Sequence, residues 1–140
     1  MSRFVVDASV VIKWFVPERG WESALRLRGK ALLSPDLLLP EIGNILWKKV
    51  GRKQISMEDG HAILSAVARS EIEIHATTDP LLLDSALQIA HDADVSFYDS
   101  LYVSLAALEG PPLVTADNSL MRKLAKTPFA SHVRSLEDLP

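Results

Sequence analysis

Two hydrophobic patterns alternate along this chain: short, nearly uninterrupted apolar runs, and longer segments in which apolar residues recur every three to four positions. The first suits strands buried on both faces, the second amphipathic helices. Residues 3–7, Arg3-Phe4-Val5-Val6-Asp7, read as a strand ending on an acid. Residues 8–16 continue at helical spacing until Pro17, and 21–28 form a short amphipathic helix stopped by Gly29. Ala31-Leu32-Leu33 is the next strand, closed by Ser34-Pro35. A longer helix over 36–50 follows, with Pro40 near its first turn and Gly51 at its end. Ser56 with Asp59 opens a helix to about Ser70, and Ile72-Glu73-Ile74-His75 alternates like a strand. Asp79-Pro80 starts a helix to about His91, and Ser96 opens another over 97–108. Leu113-Val114-Thr115 is a strand, 118–126 a helix and 132–134 a last strand. Strands alternating with helices imply a parallel sheet covered on both faces. No repeat, low-complexity segment or linker interrupts the pattern, so one α/β domain over 1–140 is expected.

Composition narrows the chemistry. Of the 140 residues, 48% are hydrophobic and 24% charged, a globular profile far from disorder. The absence of cysteine excludes disulfides, thiolate metal sites and cysteine nucleophiles. No leader-like segment opens the chain and no apolar stretch spans a bilayer, so a soluble, cytoplasmic protein without a membrane partner is expected. The net charge of −3 argues mildly against binding nucleic acid by phosphate neutralisation alone. A nucleic-acid partner must therefore be argued from a site.

Two strands stop on a carboxylate, at Val5-Val6-Asp7 and at Val114-Thr115-Ala116-Asp117. In an open parallel sheet, ligands bind beyond the carboxyl ends of the strands where the strand order reverses. Asp7 and Asp117 would share that crevice if their strands are neighbours. Asp99, in the first turn of its helix, and Glu41, near the start of another, can reach the same place. Four crowded carboxylates repel one another, and a divalent cation resolves the conflict; hard oxygen donors favour Mg²⁺ or Mn²⁺. Helix capping explains the aspartates equally well one by one, since Asp7, Asp99 and Asp117 each sit at or near a helix start. Glu41 fits that account less well, because it shares its helix face with Asn44 and Lys48.

At these residues the sequence resembles the PIN-domain family, and within it the VapC toxins of VapBC toxin–antitoxin pairs. Val5-Val6-Asp7-Ala8-Ser9 resembles the opening strand and first acid. The run from Pro35 through Glu41 to Leu46 resembles the helix that carries the glutamate. Phe97-Tyr98-Asp99-Ser100-Leu101-Tyr102 resembles the tyrosine–aspartate helix start, and Leu113 through Asp117 the last catalytic strand. Ser100 stands where the family often has alanine. The resemblance implies a three-layer α/β/α PIN-like fold around a parallel central sheet, and metal-dependent cleavage of RNA by an endoribonuclease. It also implies an acidic pocket of Asp7, Glu41, Asp99 and Asp117, with Ser9 and Thr115 as supporting hydroxyls. A homodimer and a VapB-like antitoxin partner are further implications.

With no cysteine, and no histidine in the four acidic segments, water is the expected nucleophile, and it needs a metal to become reactive. Asp7, Asp99 and Asp117 would hold one or two Mg²⁺ ions, with Glu41 ligating or orienting the water. Such hydrolysis leaves a 5′-phosphate and a 3′-OH. Lys48, Lys49, Arg52 and Lys53 form one basic cluster and Arg122, Lys123 and Lys126 another. They read either as rims that guide RNA, with Lys48, Lys49, Arg122 and Lys123 foremost, or as cations favoured at helix C-termini. The three tryptophans are expected in packing, with Trp47 the one placed for an interface. The four histidines lack metal spacing, and Asp92 and Asp94 read as a solvated loop. A haloacid-dehalogenase-like phosphatase would want an acid where Ser9 stands. A phospho-receiver would want an acidic pair near the first strand and a lysine after a late one. The stronger rival is a non-catalytic module whose acidic pocket binds a basic partner segment.

Overall fold

The computed structural model describes residues 2–139. Its strands are β1 (Arg3–Val6), β2 (Ala31–Pro35), β3 (Glu73–His75), β4 (Leu113–Thr115) and β5 (Val133–Ser135). They form one sheet in the order β3-β2-β1-β4-β5, with every neighbouring pair parallel. The register sets Val5 beside Leu33 on one side and Leu113 on the other. The strand order reverses between β1 and β4, the two strands that lead into Asp7 and Asp117.

Seven α-helices are present among the described residues: α1 (Ala8–Val11), α2 (Trp21–Leu25), α3 (Leu38–Gly51), α4 (Met57–Ala68), α5 (Pro80–Ala93), α6 (Phe97–Glu109) and α7 (Asn118–Leu124). Successive strand side chains point to opposite faces, and the core divides accordingly. Val5, Leu33, Leu113 and Val133 pack with α5, α6 and α7, whereas Val6, Leu32 and Val114 pack with α1 to α4. The result is the expected α/β/α sandwich. Helix α6 is buried continuously from Ser100 to Ala106, and its Ser104 hydroxyl donates to the Leu82 carbonyl of α5 at 3.0 Å. Only its ends surface, which leaves Asp99 where the helix emerges beside the sheet. No helix among the described residues is long and apolar enough to cross a membrane.

Most helix starts follow their side-chain caps. Ser56, Asp79 and Ser96 accept from the backbone N–H of Asp59, Leu81 and Asp99, as the sequence implies. Local differences have local causes. The expected helix over 8–16 is a four-residue α1 that tightens to a 3₁₀ turn at Ile12–Trp14, because Pro17 leaves no room for a further turn. The helix expected over 21–28 ends at Leu25 and runs out through turns to Gly29, whose φ of 86° only glycine adopts without strain. Asp92 lies in the last turn of α5, accepting from Gln88, and Asp94 is that helix's left-handed C-cap, so neither belongs to a loop.

Candidate active site

The site begins with one carboxylate and two hydroxyls. Asp7 caps α1 by accepting from the Val10 N–H, so it must stand at the carboxyl end of β1. Ser9 donates to its Oδ1 and Thr115, the last residue of β4, to its Oδ2, each at 2.6 Å. Both hydroxyls in turn accept a backbone N–H: that of Ala116 on Ser9 at 3.0 Å, and that of Asp117 on Thr115 at 3.1 Å. Each hydroxyl has a single proton, and here both protons point at Asp7. The network suits an ionised carboxylate and ties the turn after β1 to the turn after β4. Ser34, fully buried on β2, donates to the Val6 carbonyl at 2.8 Å and holds the other side of the same strand end.

The remaining acids approach from three different elements. Asp117 caps α7 by accepting from the Leu120 N–H at 3.1 Å. Asp99 lies in the first turn of α6 and Glu41 in the first turn of α3. Their charges are felt in sequence around the crevice. Burial pushes the Asp7 carboxyl up to about 6, against the pull of its hydrogen bonds, and the Glu41 charge adds to the rise. Burial also raises Glu41, with the Asp99 charge assisting. Asp99 is raised by burial and then by Asp117, and is eased by its Ser96 contact and by Lys123. All four predicted acids therefore share one electrostatic environment at the switch point of the sheet. Asp7 and Asp117 also cap their helices, as the capping account expects.

The four acids offer hard oxygen donors in a crevice where their own repulsion disfavours the fully ionised set, a chemistry that suits a divalent cation. Among the described residues, however, no group of three or more potential ligands is gathered closely enough to enclose a metal by itself. A closed all-protein cage is therefore not present among them, and a cation fitting so open a set of oxygens would be one that keeps most of its waters.

The PIN domain family profile matches residues 4–127, which span all four acids. The chain belongs to the PIN domain family. Ribonuclease VapC1 of Mycobacterium tuberculosis is 36% identical over 124 residues, covering 86% of this chain and 90% of that protein. Ribonuclease VapC3 of Pyrobaculum aerophilum is 32% identical over 125 residues, covering 86% and 94%. Among solved structures, PAE2754 from Pyrobaculum aerophilum superposes with a TM-score of 0.70 at 26% identity, over 97% of this chain and 90% of that one. A toxin–antitoxin complex from Klebsiella pneumoniae gives a TM-score of 0.69 at 15% identity, over 97% and 99%, a likeness of fold.

Within this PIN fold, sequence reasoning missed Tyr102 as a member of the site. Its hydroxyl donates to Glu41 Oε1 at 2.5 Å, and the side chain is 2% exposed. Burial first, then the bond to Glu41 and the neighbouring acids, hold this phenol far above its ordinary range, so it stays a donor at every working pH. The available signal was spacing: Tyr102 follows Asp99 by three positions and shares its helix face. Ser100, where alanine is common in the family, is fully buried and returns its hydroxyl to the Ser96 carbonyl at 2.8 Å, leaving the acids undisturbed.

The cations divide. Lys123 is near enough to Asp99 to lower it, and Lys48 and Arg122 are exposed on α3 and α7. Lys49 is only 14% exposed and is bonded to Glu18, which Lys13 also approaches at 3.9 Å. Lys49 thus fastens α3 to the segment after α1 and is committed to that contact in this structure. Asn44 is exposed one turn beyond Glu41 on α3. Trp47 is 70% exposed, and Trp14 donates to the Ala24 carbonyl at 2.8 Å. His75 lies against Glu73 and Glu109, away from the four acids.

Proposed function

We propose that this protein is a metal-dependent endoribonuclease, the toxin of a VapBC-type pair. The reading rests on one observation above others: four acids from four separate segments feel one another's charge around the switch point of the sheet, in a chain 36% identical to a protein named ribonuclease VapC1. Asp7, Asp99 and Asp117 would hold Mg²⁺, or Mn²⁺, directly or through water. When bound, the cation lowers the pKa of a water and offsets charge building on the phosphate. Glu41 accepts a proton from the attacking water, and Tyr102 fixes the carboxylate oxygen that is not used. Ser9 and Thr115 hold Asp7 in one orientation, so its oxygens need no rearrangement as substrate arrives. Water attacks phosphorus as Glu41 takes its proton, the bond to the 3′ oxygen breaks, and a solvent water protonates that departing oxygen, so the products carry a 5′-phosphate and a 3′-OH. Lys48, Arg122 and Lys123 attract the RNA backbone toward a crevice that is otherwise acidic.

The structure neighbours include VapBC assemblies from Rickettsia felis and Salmonella typhimurium, each bound to DNA. By that analogy the partner is a VapB-like antitoxin; a homodimer is what the family resemblance implies for the working unit. The test uses protein freed of any copurifying partner, incubated with structured RNAs in Mg²⁺ or in EDTA, beside Asp99→Asn. Cleavage is expected only for the wild type with metal. Activity that survives EDTA, or ends bearing a 2′,3′-cyclic phosphate, refutes the mechanism.

A further inference from the structure

We propose that a cavity beside the acidic crevice is a subsite for one unpaired nucleobase of the RNA, with the exposed Tyr98 ring as its stacking surface. The inference rests on the ribonuclease reading above. The cavity measures about 260 Å³ and is lined by Leu37, Pro40, Glu41, Asn44, Ile45 and Tyr98. It is smaller than the roughly 300–1,000 Å³ of sites that enclose drug-sized ligands, and suits a single planar ring.

Three observations select the occupant. Tyr98 is 62% exposed, whereas Tyr102, one turn later on α6, is 2% exposed and serves the core and Glu41. An aromatic side chain left in solvent beside a reaction centre offers a flat apolar face, and bases of any identity stack on such faces. The position is also continuous with the chemistry, because Glu41 lines both cavity and crevice and Tyr98 directly precedes Asp99. A base seated here therefore lies next to a phosphate held at the acids. Finally, the lining carries one carboxylate and no cation. That disfavours a second phosphate and favours a neutral ring. Asn44 supplies an amide that both donates and accepts, the equipment needed to read a base edge.

The experiment compares wild type with Tyr98→Ala, Tyr98→Phe and Asn44→Ala. Fluorescence anisotropy follows binding of labelled hexa-adenylate, hexa-uridylate and hexa-cytidylate, and of a hexamer of abasic ribose phosphates, with Ca²⁺ in place of Mg²⁺. Tyr98→Ala should weaken the base-bearing hexamers by about tenfold, the effect of losing one stacked aromatic, and leave the abasic hexamer unchanged. Tyr98→Phe should bind like wild type, and Asn44→Ala should compress the differences among the three sequences. Equal losses on the abasic hexamer, or no preference of the wild type for bases over abasic sites, overturn the subsite. So does a fall from dimer to monomer on Tyr98→Ala in size-exclusion chromatography, which would make the ring an interface between copies. The two readings fail separately. Base-dependent binding through Tyr98 without cleavage of any RNA in Mg²⁺ sinks the ribonuclease and spares the subsite, and cleavage with Tyr98-independent binding does the reverse.

Discussion

Replacing Asp7 by asparagine should stabilise the metal-free protein at neutral pH while abolishing its activity. The Asp7 carboxyl is pushed from 3.8 up to about 6, chiefly by burial. At about 1.36 kcal/mol for each tenfold change in proton affinity, ionising it is about 3 kcal/mol less favourable in the folded protein than in the unfolded chain, a difference felt in full at pH 7. Asparagine carries no charge and avoids that penalty. It also turns an amide N–H₂ toward a Ser9 or Thr115 hydroxyl that now donates to the carboxylate, which costs about 1 kcal/mol in a lost hydrogen bond. The net gain is about 1–2 kcal/mol in EDTA at pH 7.5. The sign follows from linkage. Between 3.8 and about 6 the folded wild type holds the Asp7 proton more tightly than the unfolded chain. Its Asp7 contribution to stability is therefore complete at low pH and is lost as pH rises through about 6.

The asparagine variant lacks this dependence, so its advantage should appear at pH 7.5 and vanish or reverse near pH 4.5. Urea unfolding at both pH values measures it, and a midpoint shift of about 0.5–1 M is expected from the usual urea slopes. Adding Mg²⁺ should raise the wild-type midpoint and leave the variant's unchanged, because only a species that binds the ion is stabilised by it. A variant that unfolds earlier than wild type at pH 7.5 in EDTA would refute the argument. So would a difference of the same size at both pH values.

Three further outcomes follow from the same network. In limiting Mg²⁺, kcat/KM for RNA should rise with pH through about 6 as Asp7 loses its proton, and higher Mg²⁺ should move the limb to lower pH, since cation and proton compete; a pH–rate series at two metal concentrations checks this. Tyr102→Phe keeps the ring and frees Glu41, so kcat should fall by about 10–100-fold with KM little changed and the circular dichroism spectrum intact. Thr115→Val, at a fully buried position, leaves the Asp117 N–H without its acceptor and Asp7 Oδ2 without its donor. It should lose about 1–3 kcal/mol of stability by urea unfolding.

How far the sequence reaches is decided by the range of each interaction. Residues 3–7 and 113–117 carry their own evidence, an apolar run that must be buried and an acid that cannot follow it inside, so strand and carboxylate were both legible. That β1 and β4 are neighbours was the one topological condition the crevice needed, and the sheet order meets it. The bond from Tyr102 to Glu41 crosses 61 positions and the tie from Lys49 to Glu18 crosses 31. Neither leaves a mark in local composition. Lys49 therefore read as one more cation in a basic run, although burial against Glu18 had given it a different task.

Capping and the proposed ligand role are compatible at Asp7 and Asp117 for a physical reason. A parallel strand that feeds a helix ends at the crevice, and the helix it feeds begins there. A carboxylate that caps the helix therefore already stands where ligands bind. Capping uses one oxygen of Asp117, the bond to the Leu120 N–H. On Asp7 the cap and Ser9 together occupy Oδ1, while Thr115 takes one site of Oδ2 and leaves that oxygen a further acceptor site. The bonds that order the helices thereby orient the acids before any cation or RNA arrives. Burial of that carboxyl, with the Glu41 charge adding to it, raises Asp7 to about 6 against the pull of the bonds that hold it. Stability given up there in the free protein becomes affinity for whichever cation relieves it. The two readings of Asp7 thus predict different results for Asp7→Asn in EDTA: a pure cap is left nearly unchanged, because asparagine caps as well as aspartate, and a carboxylate buried at a cost gains stability.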